Sequence, residues 1–304
     1  MQAFTLSISI IILGISCFIS GLLLMRWSLN KIIGSKSKYI LTRLTRSPLA
    51  GLIVGVLLTT MLQSSSIVSI LVINFVSIGA LPVLNAISII LGANIGTSLT
   101  LELIAISDPL WVWILLILCA ILFIFKKNIH AFCLMSLVLL LFGFNLLKLN
   151  TSALTAIPIQ ISDNPSLIEC TIALLGGVIF TAIIQSSTAA TAITMTLVDN
   201  SLIPLILGVL IVYGTNIGTC FTAILAVIGA NIHAKKIMIY HLSINIISVL
   251  LIIPLTPMLI TIINRLSNDP LQQIAHAQVL FNLFTIIIFF PFIRKHALLL
   301  DKLH

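Results

Sequence analysis

The sequence predicts an all-α integral membrane protein built from two copies of one unit inserted in opposite senses. Three observations predict it. The first is composition. Of 304 residues, 60% are hydrophobic and 7% charged, and a soluble domain of that make-up would have too little polar surface to cover itself. Several apolar stretches reach the ~20 residues that a helix needs to cross a bilayer. The second is self-similarity. TTMLQSSS at 59–66 returns as TAIIQSST at 181–188, and GANIGT at 92–97 returns as GTNIGT at 214–219. Gln63 to Gln185 and Asn94 to Asn216 are both offsets of 122, which also carry Gly55 onto Gly177, Thr59 onto Thr181, Pro82 onto Pro204 and Thr100 onto Thr222. Chance similarity between apolar segments exchanges Leu for Ile and does not hold glycines and polar residues in register. Residues 51–106 and 173–228 are therefore two copies of one unit. The third observation is where the charges fall.

Residues 4–25 form the first span. No basic residue precedes its apolar run and no small-residue cleavage site follows it, so it does not read as a signal peptide. Next come Arg26, Lys31, Lys36, Lys38, Arg43 and Arg46, the strongest basic cluster in the chain. The positive-inside rule places them in the cytoplasm. Lys126–Lys127, Lys235–Lys236 and Arg294–Lys295 mark three more cytoplasmic points. The stretches 148–169 and 263–275 hold Asp163, Glu169 and Asp269 against Lys148 and Arg265, and read as the outer side.

Parity then places the repeats. Leaving the cytoplasm at residue 47 and returning at Lys126 through a span at 109–125 requires an odd number of crossings over 47–108. Pro48–Ala80 is ~33 residues, too few for two spans of ~20. A re-entrant hairpin at 48–80, with QSSS near its tip, followed by a span at 83–106 satisfies the count. Spans at 109–125 and 129–147 follow, then a second hairpin at 168–202 and spans at 205–230, 237–262 and 276–293. That makes seven full spans plus two hairpins, with the amino terminus outside and the carboxyl terminus in the cytoplasm. Residues 1–147 are the first repeat half, 148–262 the second and inverted half, and 263–304 a final span and cytoplasmic tail. Inverted repeats with broken helices are a mark of secondary transporters.

The polar clusters say what such a protein would handle. Non-helical backbone at membrane depth is tolerated only inside protein or beside a wet cavity. Half-helix amino termini there aim free N–H groups at anions, while carbonyls and hydroxyls can take a cation from water. Gln63, Ser64, Ser65 and Ser66, with Gln185, Ser186, Ser187 and Thr188, supply amides and hydroxyls that both donate and accept. Asn94 and Thr97, with Asn216 and Thr219, add an amide and a hydroxyl per copy beside glycines that permit close backbone approach. No Lys or Arg falls inside either copy. An anion held there would rely on N–H and O–H donors, with co-bound cations balancing its charge. The bland alternative is that each hydroxyl merely bonds back to its own helix or glues helices together.

Further candidates are less determined. Glu102, near Thr100 and mated by the repeat to Ile224, is a cation ligand or proton carrier, or else an acid snorkelling from a helix end. Thr222 is the mate of Thr100. His241 and Asn245, one turn apart, line the cavity or glue helices together. The five cysteines, Cys17, Cys119, Cys133, Cys170 and Cys220, have no CxxC spacing and read as small buried side chains. No triad, Walker loop, HExxH or nucleotide fingerprint is present, so no enzyme and no cofactor are expected. The net charge of +8 lies in short clusters between apolar runs, an orientation signal rather than a nucleic-acid surface.

Paired QSS[ST] segments, each followed by G-x-N-I-G-T, resemble the sodium–phosphate cotransporter family of type II, which includes renal and intestinal carriers and shorter bacterial proteins. HLSIN at 241–245 and QVLFN at 278–282 are similar to its H-x-x-F-N pattern, with Ile244 for Phe and Gln278 for His. The resemblance implies sodium-coupled uptake of inorganic phosphate by alternating access. It makes the eight QSS[ST] residues the substrate and sodium site, supported by Asn94, Thr97, Asn216 and Thr219. Asp108 stands near, but not at, the spacing of an acidic residue that aids sodium binding in electrogenic animal members. Partners implied are phosphate, sodium ions as coupling ion, and the lipid bilayer of the plasma membrane. A second copy of the chain and a separate regulatory protein are further candidates, since larger bacterial relatives often carry a regulatory domain after the membrane part. The alternatives are phosphate export, another small anion, an uncoupled channel, or a non-transporting subunit.

Overall fold

The computed structural model describes residues 2–33, 44–45, 47–150, 164–228 and 231–302. Lys36, Lys38, Arg43, Arg46 and Asp163 lie outside the described residues. Within them the fold is helical, and no strand occurs. The first long helix is α1 (Gln2–Ile33). The first copy comprises α2 (Pro48–Leu62), α3 (Ser65–Ser77) and α4 (Val83–Ala105). A pair, α5 (Pro109–Ile124) and α6 (Asn128–Asn150), separates it from the second copy. That copy comprises α7 (Leu167–Ile184), α8 (Ser187–Asp199), α9 (Leu205–Gly218) and α10 (Cys220–Ala226). The chain continues as α11 (Ile232–Ile252), α12 (Thr256–Leu266), α13 (Pro270–Phe289) and α14 (Ile293–Lys302).

The helix starts follow from sequence. Ser47 accepts from Ala50 N ahead of Pro48, Asp108 from Leu110 N ahead of Pro109, and Asp269 from Leu271 N ahead of Pro270. Ser166 and Glu169 form a capping box at α7. The two helices on either side of QSSS are short. At 1.5 Å per residue, the 15 residues of α2 and 13 of α3 extend only ~22 and ~20 Å, against a core of ~30 Å.

Among the described residues, seven stretches are long and apolar enough to cross a membrane: Leu6–Leu29, Val83–Ala105, Asn128–Leu149, Leu167–Ile184, Leu205–Leu225, Ile232–Leu266 and Pro270–Leu300. The number matches the expectation but the membership differs. The predicted span at 109–125 is the 16-residue α5, cut short by Pro109 at its start and by Lys126 at φ 55°. The first arm of the second hairpin, α7, has 18 residues and a spanning length. The predicted outer stretch 263–275 is mostly helix, because Asp269 and Pro270 start α13 six residues before the expected span at 276. Pro254 and Pro257 turn the chain through a 3-10 segment at Ile253–Leu255 without ending the span.

The two copies pack alike. Each presses a glycine-lined pair of helices together, α2 on α4 and α7 on α9. A Cβ built on Gly55 would lie 2.1 Å from Ile89 O, and one on Gly177 2.3 Å from Ile211 O. The atoms correspond by the same offset of 122. Small residues let backbones approach where lipid provides no hydrophobic drive for association. A buried apolar core then encloses α3 and α4 against α10, α11 and α13, and another encloses α8. The hydroxyl residues of both QSS[ST] tips are buried within this packing.

Candidate functional site

Each motif residue has a distinct backbone job. Gln63 closes α2 in the left-handed region at φ 52°, ψ 31°, and Gln185 closes α7 at φ 56°, ψ 31°. Ser64 and Ser186 are extended, at φ −161° and −150°, and their side chains cap the next helix by accepting from Ile67 N and Ala189 N, both at 3.3 Å. The following two residues open α3 and α8, so their N–H groups lack intrahelical acceptors. The first serine is thus spent on capping. Ser65, Ser66, Ser187 and Thr188 present hydroxyls at a helix N-terminus, where the dipole favours negative charge.

The structure brings all eight residues around one pocket, between the two tips. The space between the tips is about 10 Å³, room for about one water. A cavity of about 430 Å³ adjoins it, lined by Ser64, Ser66, Ile67, Ile70, Gln185 and Thr222 among others. It lies on the side where Asn231 Nδ2 donates to Ser77 O, the side that Lys235–Lys236 mark. A second cavity of about 280 Å³ touches Gln63 and Thr100 and continues along Leu103, Ser107 and Trp111, at the opposite end of α4. Gln63 is buried, whereas Gln185 is exposed. Gln63 Nε2 donates to Thr60 O at 2.6 Å. Gln63 Oε1, Thr59 Oγ1 and Thr181 Oγ1 are buried oxygens without a hydrogen-bond partner.

Arg26 lines both the pocket and the 430 Å³ cavity. It belongs to the basic cluster expected in the cytoplasm. The difference arises because α1 runs to Ile33, eight residues beyond the expected end of the span, so Arg26 sits within the helix rather than after it. The signal was present, since a base flanked by LLLM and Trp27 interrupts an apolar run, and such residues are functional candidates by default.

Asn94 and Asn216 belong to a network beside the tips rather than to the pocket. Asn282 Nδ2 donates to Asn94 O and Asn245 Nδ2 donates to Asn216 O, each at 2.9 Å, so the two copies are answered by equivalent contacts. The Asn216 and Gln278 side-chain amides exchange two hydrogen bonds at 3.0 and 2.9 Å. Asn94 Nδ2 donates to Asn245 Oδ1 at 3.3 Å. Thr97, Thr100, Thr219 and Thr222 each bond back to a carbonyl of their own segment, which is the bland alternative for those four. His241 is buried with neither ring nitrogen partnered. Cys220 is buried and accepts from Asn245 Nδ2. Glu102 pairs with His276 at 2.8 Å, away from the tips. Gln278 and Asn282 were noted only as part of a pattern, and the network makes them structural partners of the NIGT helices. Asn282 Nδ2 also donates to Ser98 Oγ at 2.7 Å. Asn282→Ala removes both bonds and is expected to cost about 2 kcal/mol, read as a lower thermal midpoint in detergent.

A family model described as Na+/Pi-cotransporter matches residues 17–152 and 162–289. An uncharacterised protein, YqeW of Bacillus subtilis, is 33% identical over 285 residues, which are 90% of this chain and 91% of that protein. A protein named "Putative inorganic phosphate export protein YjbB" of Escherichia coli is 25% identical over 291 residues, 93% of this chain. The chain spans about half of its length, 53%. The "Sodium-dependent phosphate transport protein 2A" of Oryctolagus cuniculus is 48% identical over 62 residues, 20% of this chain and 10% of that one. No solved structure matches the chain.

Proposed function

The chain belongs to the Na+/Pi-cotransporter family, and from that premise we propose that it carries inorganic phosphate across the plasma membrane, coupled to sodium, by alternating access. The observation that carries the reading is the meeting of both QSS[ST] tips at one pocket. Two helix N-termini and the hydroxyls of Ser65, Ser66, Ser187 and Thr188 suit an oxyanion. The unpartnered oxygen of Gln63, which lines the pocket, suits an alkali cation. Gln63 stands between cavities at opposite ends of the bundle. A site flanked in this way is exposed to one side or the other by small movements of the tips, consistent with repeat-built carriers.

Charge supplies the coupling. A dibasic anion in a low-dielectric site needs compensation before it can cross. Direction then follows the combined gradients, so the same site serves uptake or release. The test is phosphate flux into liposomes holding only this protein. Replacing external sodium by potassium is expected to lower the initial rate at least tenfold. Saturable flux that ignores the swap would overturn sodium coupling, and unsaturable flux would indicate a channel.

A further inference from the structure

We propose that Arg26, carried by a helix outside the duplicated segments 51–106 and 173–228, is the fixed counter-charge of the site, binding the anion directly and standing in for one coupling cation. The inference rests on the phosphate reading above and deepens it. Arg26 lines the pocket together with all eight QSS[ST] residues and also the cavity that leads to it. Its Nε is buried and has no hydrogen-bond partner. Among the described residues the one ion pair is His276–Glu102, so no carboxylate is paired with this guanidinium. Arg26 as a whole is partly buried, but an Nε–H shut off from water without an acceptor is costly, and an oxyanion between the tips would supply one.

The chemistry of guanidinium fits. It stays charged at any physiological pH and offers a planar fork of N–H donors that matches two oxygens of one phosphate. The serine and threonine hydroxyls and the two helix termini face the remaining oxygens. None of those groups bears a full charge, so Arg26 decides the electrostatic balance of the pocket. A monobasic phosphate beside Arg26 is neutral overall, and a dibasic one retains a single negative charge, which one sodium ion closes. Binding therefore begins without sodium, while crossing the membrane needs it.

The test is binding of radiolabelled inorganic phosphate to the purified protein in lipid nanodiscs, in choline chloride and in sodium chloride. Wild-type protein is expected to bind in choline and more tightly in sodium. Arg26→Gln is expected to lose at least tenfold in affinity in choline and less in sodium, making binding sodium-dependent. Arg26→Lys keeps the charge, loses the fork and falls between the two. A merely structural lesion weakens binding alike in both media, and that result would overturn the proposal. Wild-type affinity of Arg26→Gln in choline would overturn it too, as would wild-type binding seen only in sodium. Should Arg26→Gln not fold, Arg26→Lys decides, because unchanged affinity in choline removes the fork. Folded wild-type protein that binds no phosphate in either medium would instead defeat the phosphate reading, and this inference with it.

Discussion

Gln63→Ala is expected to lower phosphate flux in proteoliposomes by about 100-fold or more, with expression and elution profile unchanged. Gln63 holds the left-handed position between α2 and α3 and lines both the pocket and the cavity beyond it. Its Nε2 is tied to Thr60 O, which leaves Oε1 buried and without a hydrogen-bond partner. Removing one preorganised polar group from a water-excluded site typically costs about 2.7–4 kcal/mol at the step that uses it, which is the fold-change expected. Glutamine and alanine bear the same backbone strain at this positive φ, about 1 kcal/mol, which only glycine relieves. Gln63→Gly removes that strain and must still lose flux if the amide is what matters. Gln185→Ala is expected to behave in the same way, since Gln185 has the same φ and ψ within a few degrees and lines the same pocket. Flux within twofold of wild type in both alanine variants would remove the proposed site.

The part of this site that was readable from the sequence is the part encoded locally. A Gln-Ser pair between two apolar helices dictates its own turn and cap, so the positions of Gln63 and Ser64 follow without tertiary information. The offset of 122 added the pairing of Gln63 with Gln185, because only a structural repeat conserves polar register across apolar helices. Arg26 escaped because its role depends on where α1 lies beside the tips, and charge counting assigned it with its neighbours. The partner of Glu102 escaped for a related reason. His276 is 174 residues away, where the span expected from the sequence begins, and nothing local brings the two together. The expected spans 237–262 and 276–293 start late because hydropathy alone marks the apolar run, whereas Asn231 and Asp269 cap helices that begin at Ile232 and Pro270. The NIGT residues were placed near the site by pattern alone. In the structure Asn94 and Asn216 hydrogen-bond to α11 and α13 rather than lining the pocket between the tips.

The largest effect on the fold is expected from adding a single carbon at the glycines between paired helices. A Cβ on Gly92 would fall 2.0 Å from Leu52 O, and one on Gly214 2.0 Å from Leu174 O. Contacts below 3.0 Å are essentially never seen for a real Cβ, and the opposing atom is backbone, which has no rotamer to yield. Gly92→Ala and Gly214→Ala must therefore drive α4 from α2 and α9 from α7. Overpacking of this kind typically costs about 1–3 kcal/mol and occasionally more. Here it should exceed that, because the displaced arms carry Gln63 and Gln185 and both sides of the pocket move with them. The expected result is little or no monodisperse protein after detergent extraction. Adjacent glycines in α7 provide the control. A Cβ on Gly177 would lie 2.3 Å from Ile211 O, while nothing lies within 4 Å of a Cβ on Gly176. Gly176→Ala should leave the thermal midpoint unchanged or raise it, since alanine is favoured over glycine in a helix by about 1 kcal/mol. Gly177→Ala should lower it sharply. Equal midpoints for these two neighbours would mean that the arms are not held by close backbone contact, and the geometry that brings the tips together would need another cause.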